Sequence, residues 1–103
     1  MELNDANFNS IINSGKIVLI DFWSPTCGPC KAIMPVIDQV AQDFSGNSRV
    51  IIGKLNTAQN NVFMQYGVRT VPTILIFKNG QVVDRLLLPV TRNLIVSRIN
   101  SHL

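Results

Sequence analysis

The chain is predicted to fold as one α/β domain, with a central mixed β-sheet of four to five strands flanked by four helices. Three observations support this. First, short β-branched apolar runs alternate with segments whose apolar residues recur at helical spacing. Second, only the last two strand-like runs are joined by a tight-turn pair, Asn79-Gly80. The earlier runs therefore need crossovers and lie parallel, while the last adds an antiparallel strand. Third, 103 residues that are 47% hydrophobic and 15% charged suit one packed core rather than a disordered chain. The same length is too short for a nucleotide-binding domain plus a catalytic domain, or for most barrel enzymes.

In chain order, Asn4 or Asp5 is expected to cap a helix with Phe8, Ile11 and Ile12 on one face, stopped by Gly15. Lys16 to Trp23 is a near-continuous apolar run and reads as a central strand buried on both faces. Ser24 to Thr26 is the loop that leaves it. A helix from about Gly28 to Phe44 carries Ile33, Ile37, Val40, Ala41 and Phe44 on its period. Pro29 fits the first turn, where a missing N–H matters little, whereas Pro35 falls inside and is expected to kink the helix. Val50 to Leu55 is a second buried strand. Asn60 or Asn61 is expected to cap a short helix through Tyr66, ended by Gly67. Thr73 to Phe77 is a third strand, preceded by Pro72 at a position where a strand tolerates proline. Its hairpin partner runs from Gln81 to about Leu88, broken by Pro89. Thr91 caps a last helix with Leu94, Ile95, Ile99 and Leu103 inward. With no composition break and no repeat, residues 1–103 form one domain.

Several function classes are disfavoured. Apolar stretches such as Ile17-Val18-Leu19-Ile20 run only four residues before a charge, so no membrane span is expected. Met1-Glu2-Leu3-Asn4-Asp5 lacks the basic-then-apolar layout of a secretory signal, which points to the cytoplasm. The net charge is +3, but no two basic residues are adjacent, so no phosphate-binding stripe and no nucleic-acid partner is expected.

The chemistry lies in Cys27-Gly28-Pro29-Cys30, which holds both cysteines of the chain. As a structural staple the pair is badly placed. Closing a four-residue loop is worth only ~1.9 kcal/mol on the chain-entropy estimate, against ~4.7 for a loop of about 100 residues. A structural zinc site needs four ligands, and the other soft candidate is His102 at the tail, so no metal is expected. A Cys-x-x-Cys between a strand and a helix reads as a redox dithiol. Both sulfurs belong to the chain, so no cofactor is expected.

Asp21-Phe22-Trp23, Cys27-Gly28-Pro29-Cys30-Lys31, Pro35, Lys54-Leu55-Asn56, Tyr66-Gly67-Val68-Arg69, Val71-Pro72-Thr73 and Phe77-Lys78-Asn79-Gly80 resemble the thioredoxin family in order and spacing. The resemblance covers nearly the whole chain and implies the thioredoxin fold. Only the start is weakly covered, since Met1 to Leu3 leaves a stub where the family has a short edge strand. The resemblance implies a protein-disulfide oxidoreductase whose redox-active disulfide is Cys27–Cys30. At the leading end of its helix Cys27 is favoured as a thiolate and serves as nucleophile, and Cys30 resolves the mixed disulfide. Gly28, Pro29 and Trp23 shape the site. Val71-Pro72 looks like a cis-proline loop facing the disulfide, where Thr26, Val71, Pro72 and Leu88 meet the substrate. Asp21 interrupts a buried strand, so its pKa is expected to rise. The resemblance gives it the role of exchanging the Cys30 proton, tuned by Lys54. The alternative is that Asp21 is simply ion-paired with Lys54. Met34 and Met64 are expected in the core or at its rim, Lys31 on the helix surface, and His102 in a solvated tail.

The chain also departs from the family pattern. Thr26 stands where the family usually has Trp before the first Cys, Leu88 where it usually has Gly, and Thr57-Ala58 where an acidic residue is usual. These changes leave the dithiol intact and suggest a specialised thioredoxin with an altered set of partners. Expected partners are protein disulfides and a thioredoxin reductase, flavin- or ferredoxin-linked, with the chain itself a monomer. The competing readings are a thioredoxin-fold binding or scaffold subunit with incidental cysteines, and a metal or iron–sulfur cluster bridged by two chains.

Overall fold

The structure, a computed structural model, describes residues 1–103. A two-residue strand β1 (Glu2–Leu3) precedes helix α1 (Phe8–Ile12). Strand β2 (Ile17–Trp23) leads into helix α2 (Gly28–Asp43), and β3 (Val50–Asn56) into a 3₁₀ turn at Val62–Tyr66. The hairpin β4 (Thr73–Lys78) and β5 (Gln81–Leu86) precedes helix α3 (Arg92–His102). The sheet order is β1-β3-β2-β4-β5. β3 runs parallel to β1 and β2, while β4 is antiparallel to both β2 and β5.

β2 is central because its side chains suit burial on both faces. Ile17 and Leu19 pack with Ile33, Ile37 and Val40 of α2 and with Ile95 and Ile99 of α3. Val18, Ile20 and Phe22 pack on the other side with Phe8 and Ile12 of α1 and with Val62 of the 3₁₀ turn. There Phe8, Tyr66 and Phe77 form an aromatic cluster with ring centroids 5.2 to 5.7 Å apart. Each fully buried Leu, Ile or Phe stabilises the fold by about 1.5–3 kcal/mol.

Two local devices set the sheet edges. Asn79 and Gly80 take φ of 54° and 79°, as a type I′ hairpin requires, and the Gly80 N–H donates to the Ile12 carbonyl at 2.9 Å. At the other edge Gly53 lets β1 lie close against β3. A Cβ there would run into the Leu3 side chain and stand 3.2 Å from the Met1 carbonyl oxygen. The stub at the start is thus a paired edge strand, with Glu2 beside Lys54.

The fold class agrees with expectation, and several details differ. Three α-helices and a 3₁₀ turn flank the sheet rather than four helices, because Val62–Tyr66 is closed by bonds between residues three apart, the Met64 N–H donating to the Asn61 carbonyl (3.1 Å) and the Gly67 N–H to the Met64 carbonyl (3.3 Å). Neither Asn60 nor Asn61 caps that turn. Asp5 does so from a distance, accepting from the N–H groups of Asn61 (3.0 Å) and Val62 (2.9 Å). The N-cap of α1 is Asn7, not Asn4 or Asp5, and its side chain makes no cap bond to the helix; Asn4 and Asn7 exchange side-chain-to-backbone hydrogen bonds in the turn ahead of it. β5 ends at Leu86, two residues before the expected Leu88. Thr91 caps α3 as expected, its Oγ1 accepting from the Leu94 N–H at 3.1 Å, but Leu103 is 39% exposed because α3 ends at His102. His102 is half-buried against Asp84, with Nε2 3.2 Å from Oδ2, rather than free in solvent. Met64 points outward at 64% exposure.

Because Asp5 ties the chain start to the segment leading into the Val71 loop, Asp5→Ala is expected to lower stability by about 1 kcal/mol. Urea unfolding would show this as a lower midpoint at unchanged slope.

Candidate active site

β2 ends at Trp23, and Ser24–Cys27 turns the chain into α2, with the Cys27 N–H donating to the Ser24 carbonyl at 3.2 Å. Cys27 is the N-cap of α2, with φ −94° and ψ 107°. Its Sγ accepts from the Cys30 N–H at 3.0 Å, where caps usually offer an oxygen. The two sulfurs form a disulfide with Cα atoms 5.2 Å apart. They are not equivalent: Cys27 is 9% exposed and Cys30 0%. An attacking or attacked group therefore reaches Cys27 first. When the bond is reduced, the helix N-terminus and the Cys30 N–H favour negative charge on Cys27. No acidic side chain lies in the first turn of α2 to oppose this. Gly28, Pro29 and Thr26 are exposed around the pair, as is Lys31 on the helix surface.

The Val71–Pro72 bond is cis, as the resemblance implied, and Cys27 Sγ lies 3.6 Å from the Val71 carbonyl oxygen. The Val71 N–H makes no hydrogen bond within the chain. A second cis bond, Leu88–Pro89, was not anticipated. Leu88 and Pro89 join Pro29, Ala32, Ile33 and Val90 around an apolar groove of about 420 Å³ beside the disulfide. The sequence held a signal for it, since Leu87-Leu88-Pro89-Val90 is an apolar run between a strand and a helix.

Asp21 shares the sheet face of Ile17 and Leu19, which α2 covers. It is 0% exposed, and neither carboxylate oxygen has a hydrogen-bond partner. Burial pushes its pKa up to about 6, and the Lys54 charge pulls part of the way back. The alternative of a simple Asp21–Lys54 ion pair does not hold. Lys54 stands next to Asp21 in the sheet register, yet its ammonium lies 3.8 Å from Glu2 Oε1 and 3.8 Å from Met34 Sδ. Sequence reasoning missed Glu2, because the register of a two-residue strand carries no hydrophobic pattern to read. Trp23 is half-buried and lines a polar groove with Glu2, Leu3, Asn4, Asn56, Gln59 and Asn60. Its backbone carbonyl accepts from the Thr57 N–H at 2.8 Å, which fastens the end of β2 to the loop after β3.

The thioredoxin family model matches residues 1–101. A thioredoxin of Chlorobaculum thiosulfatiphilum is 45% identical, over 99% of this chain and 94% of that protein. Thioredoxin 2 of Chlorobaculum tepidum is 43% identical over the same shares. A thioredoxin of Haemophilus influenzae is 41% identical over 100% of this chain and 96% of its own length. With a Cys-Gly-Pro-Cys disulfide at the start of α2, the chain belongs to the thioredoxin family and is a thiol–disulfide oxidoreductase.

Proposed function

We propose that the chain reduces disulfides in partner proteins by a two-step exchange. The Cys27 thiolate attacks one sulfur of the partner's disulfide, a mixed disulfide forms, and the partner's other sulfur leaves as a thiolate. Cys30 then loses its proton and attacks Cys27 Sγ. The Cys27–Cys30 bond forms, the mixed disulfide breaks, and the second partner sulfur leaves. Two electrons pass to the partner, and the chain ends as the disulfide. The observation that carries this reading is the unequal exposure of the two sulfurs, with Cys27 as the helix cap. Proximity makes the second step intramolecular, which prevents the adduct from persisting.

Asp21 is the proton acceptor for Cys30, directly or through a water. A carboxyl with a pKa of about 6 is ~90% ionised at pH 7, so it is available as a base. Its raised basicity also narrows the uphill transfer from a thiol by about 3 kcal/mol relative to an ordinary Asp. Lys54 tempers that basicity from the neighbouring strand. Gly28, Pro29 and Trp23 shape the ground on which the disulfide sits. An extended substrate segment pairs with the open Val71 N–H beside Pro72 and lays an apolar side chain along Leu88. Thr26 offers no aromatic anchor there, so partner choice is narrower than with a Trp. A thioredoxin reductase, flavin- or ferredoxin-linked, regenerates the dithiol. No helix is long and apolar enough to cross a membrane, and we place the protein in the cytoplasm as a monomer.

Cys30→Ser is expected to accumulate a mixed disulfide with a protein substrate, visible by non-reducing electrophoresis, while Cys27→Ser neither traps nor turns over. Turnover by Cys27→Ser would overturn the reading. Thr26→Trp is expected to raise kcat/KM for a general protein disulfide by about fivefold to tenfold, the worth of one buried aromatic anchor. Equal efficiency would remove Thr26 from the account of specificity. For Asp21 the folded pKa lies above its usual 3.8, so the native state binds more protons than the unfolded chain between pH 4 and 6. Wild-type stability therefore falls as pH rises through that window, and Asp21→Asn removes the fall. Urea unfolding is expected to show the variant gaining about 3 kcal/mol on the wild type between pH 3 and pH 8.

A further inference from the structure

Three ionisable side chains lie side by side on the sheet face covered by α2. The parallel registers set Glu2 opposite Lys54 and Lys54 opposite Asp21, on β1, β3 and β2 in turn. One ammonium thus stands between two carboxylates. It is held by the outer one, with Lys54 Nζ 3.8 Å from Glu2 Oε1, and its inner contact is the Met34 sulfur at 3.8 Å. Asp21 keeps both oxygens unpaired. The division follows from solvation. Glu2 is 61% exposed and Lys54 30%, so their contact leaves both charges partly in water. Closing on Asp21 would require the ammonium to enter a fully buried site.

No other charged group competes for Asp21. β4 places Ile74 opposite it. α2 turns Cys30, Ile33 and Ile37 inward, while Lys31 and Asp38 of that helix are exposed and Asp43 pairs with Arg92. α3 offers Ile95 and Ile99 to this core, and its Arg98 and His102 are turned to Asp84 of β5. Lys54 is the one cation whose position decides how Asp21 behaves.

We propose that Glu2 is a positioning residue for the exchange reaction: by holding the Lys54 ammonium at the sheet edge, it keeps Asp21 unpaired and able to take the Cys30 proton. This rests on the reading of Asp21 as that proton's acceptor. Without the Glu2 charge, Lys54 turns inward and pairs with Asp21, and an ion-paired carboxylate is a poorer base. Gly53 belongs to the same device, since a Cβ there would run into the Leu3 side chain of β1, the strand that carries Glu2.

The test is a carboxyl titration of Asp21 by carbon-13 NMR in the oxidised protein, where no thiol titrates beside it. Glu2→Gln is expected to lower the Asp21 midpoint by about half a pH unit, since a partly exposed ion pair such as Glu2–Lys54 is worth at most about 1 kcal/mol. Lys54→Met is expected to raise it. In the Lys54→Met background, Glu2→Gln is expected to leave the midpoint where it is. An unmoved midpoint in Glu2→Gln overturns the proposal. An equal drop with and without Lys54 also overturns it, because Glu2 would then act on Asp21 directly. A second readout is the pH profile of mixed-disulfide resolution in the reduced protein. If Asp21 takes the proton, the acidic limb moves with the NMR midpoint in Glu2→Gln. A moved midpoint with a stationary limb supports the hold of Glu2 on Lys54 and overturns the role given to Asp21.

Discussion

The Cys30 N–H reaches Cys27 Sγ at 3.0 Å only because α2 begins at that sulfur and nowhere else. The start of α2 is in turn fixed by its apolar stripe. Ile33, Ile37 and Val40 lie against Ile17, Leu19 and Ile76 of the sheet, and this packing sets the position of the helix along the sheet. Moving α2 by one residue would rotate that stripe by about 100° and expose it. The site is therefore held by a core many residues long, although the chemistry needs only two sulfurs. A strand buried on both faces, feeding a helix through a four-residue turn, gives that precision to groups on a loop.

The same packing creates the cost that the site carries. Leu19 and Asp21 share one face of β2, so the helix that buries the first also buries the second. A carboxylate with no hydrogen-bond partner in such a place weakens the fold, and a side chain chosen for stability alone would be apolar. Burial is also what raises this carboxyl's pKa to about 6. Pairing Lys54 with Asp21 would satisfy the carboxylate but would bury the ammonium as well. Its position at the sheet edge, beside Glu2, leaves the cost in place.

On the outer surface the chain offers few polar anchors near Cys27. Pro29, Leu88 and Pro89 line an apolar groove, and the Val71 carbonyl oxygen lies 3.6 Å from the Cys27 sulfur. Leu88 is 41% exposed and Leu87 beside it 54%. Thr26 and Leu88 are both exposed at this surface, which is apolar on the Leu88 side.

The local chemistry was legible in the sequence because it is local. The Cys-x-x-Cys spacing, the Asn79-Gly80 turn, the Thr91 cap and the apolar character of β2 each involve a few neighbouring residues, and each acts as its residue types require. The family resemblance in those segments carried the fold class and the roles expected of Cys27 and Cys30. What stayed hidden depended on pairing across long stretches of chain. Asp5 caps a turn 56 residues away. The Leu88–Pro89 segment closes a groove against α2, and Lys54 turns to Glu2 rather than to Asp21. Burial of Asp21 was readable from its strand, but the absence of any partner for it was not. A sequence names the groups that can meet, while the strand register and the solvation of each charge decide which of them do.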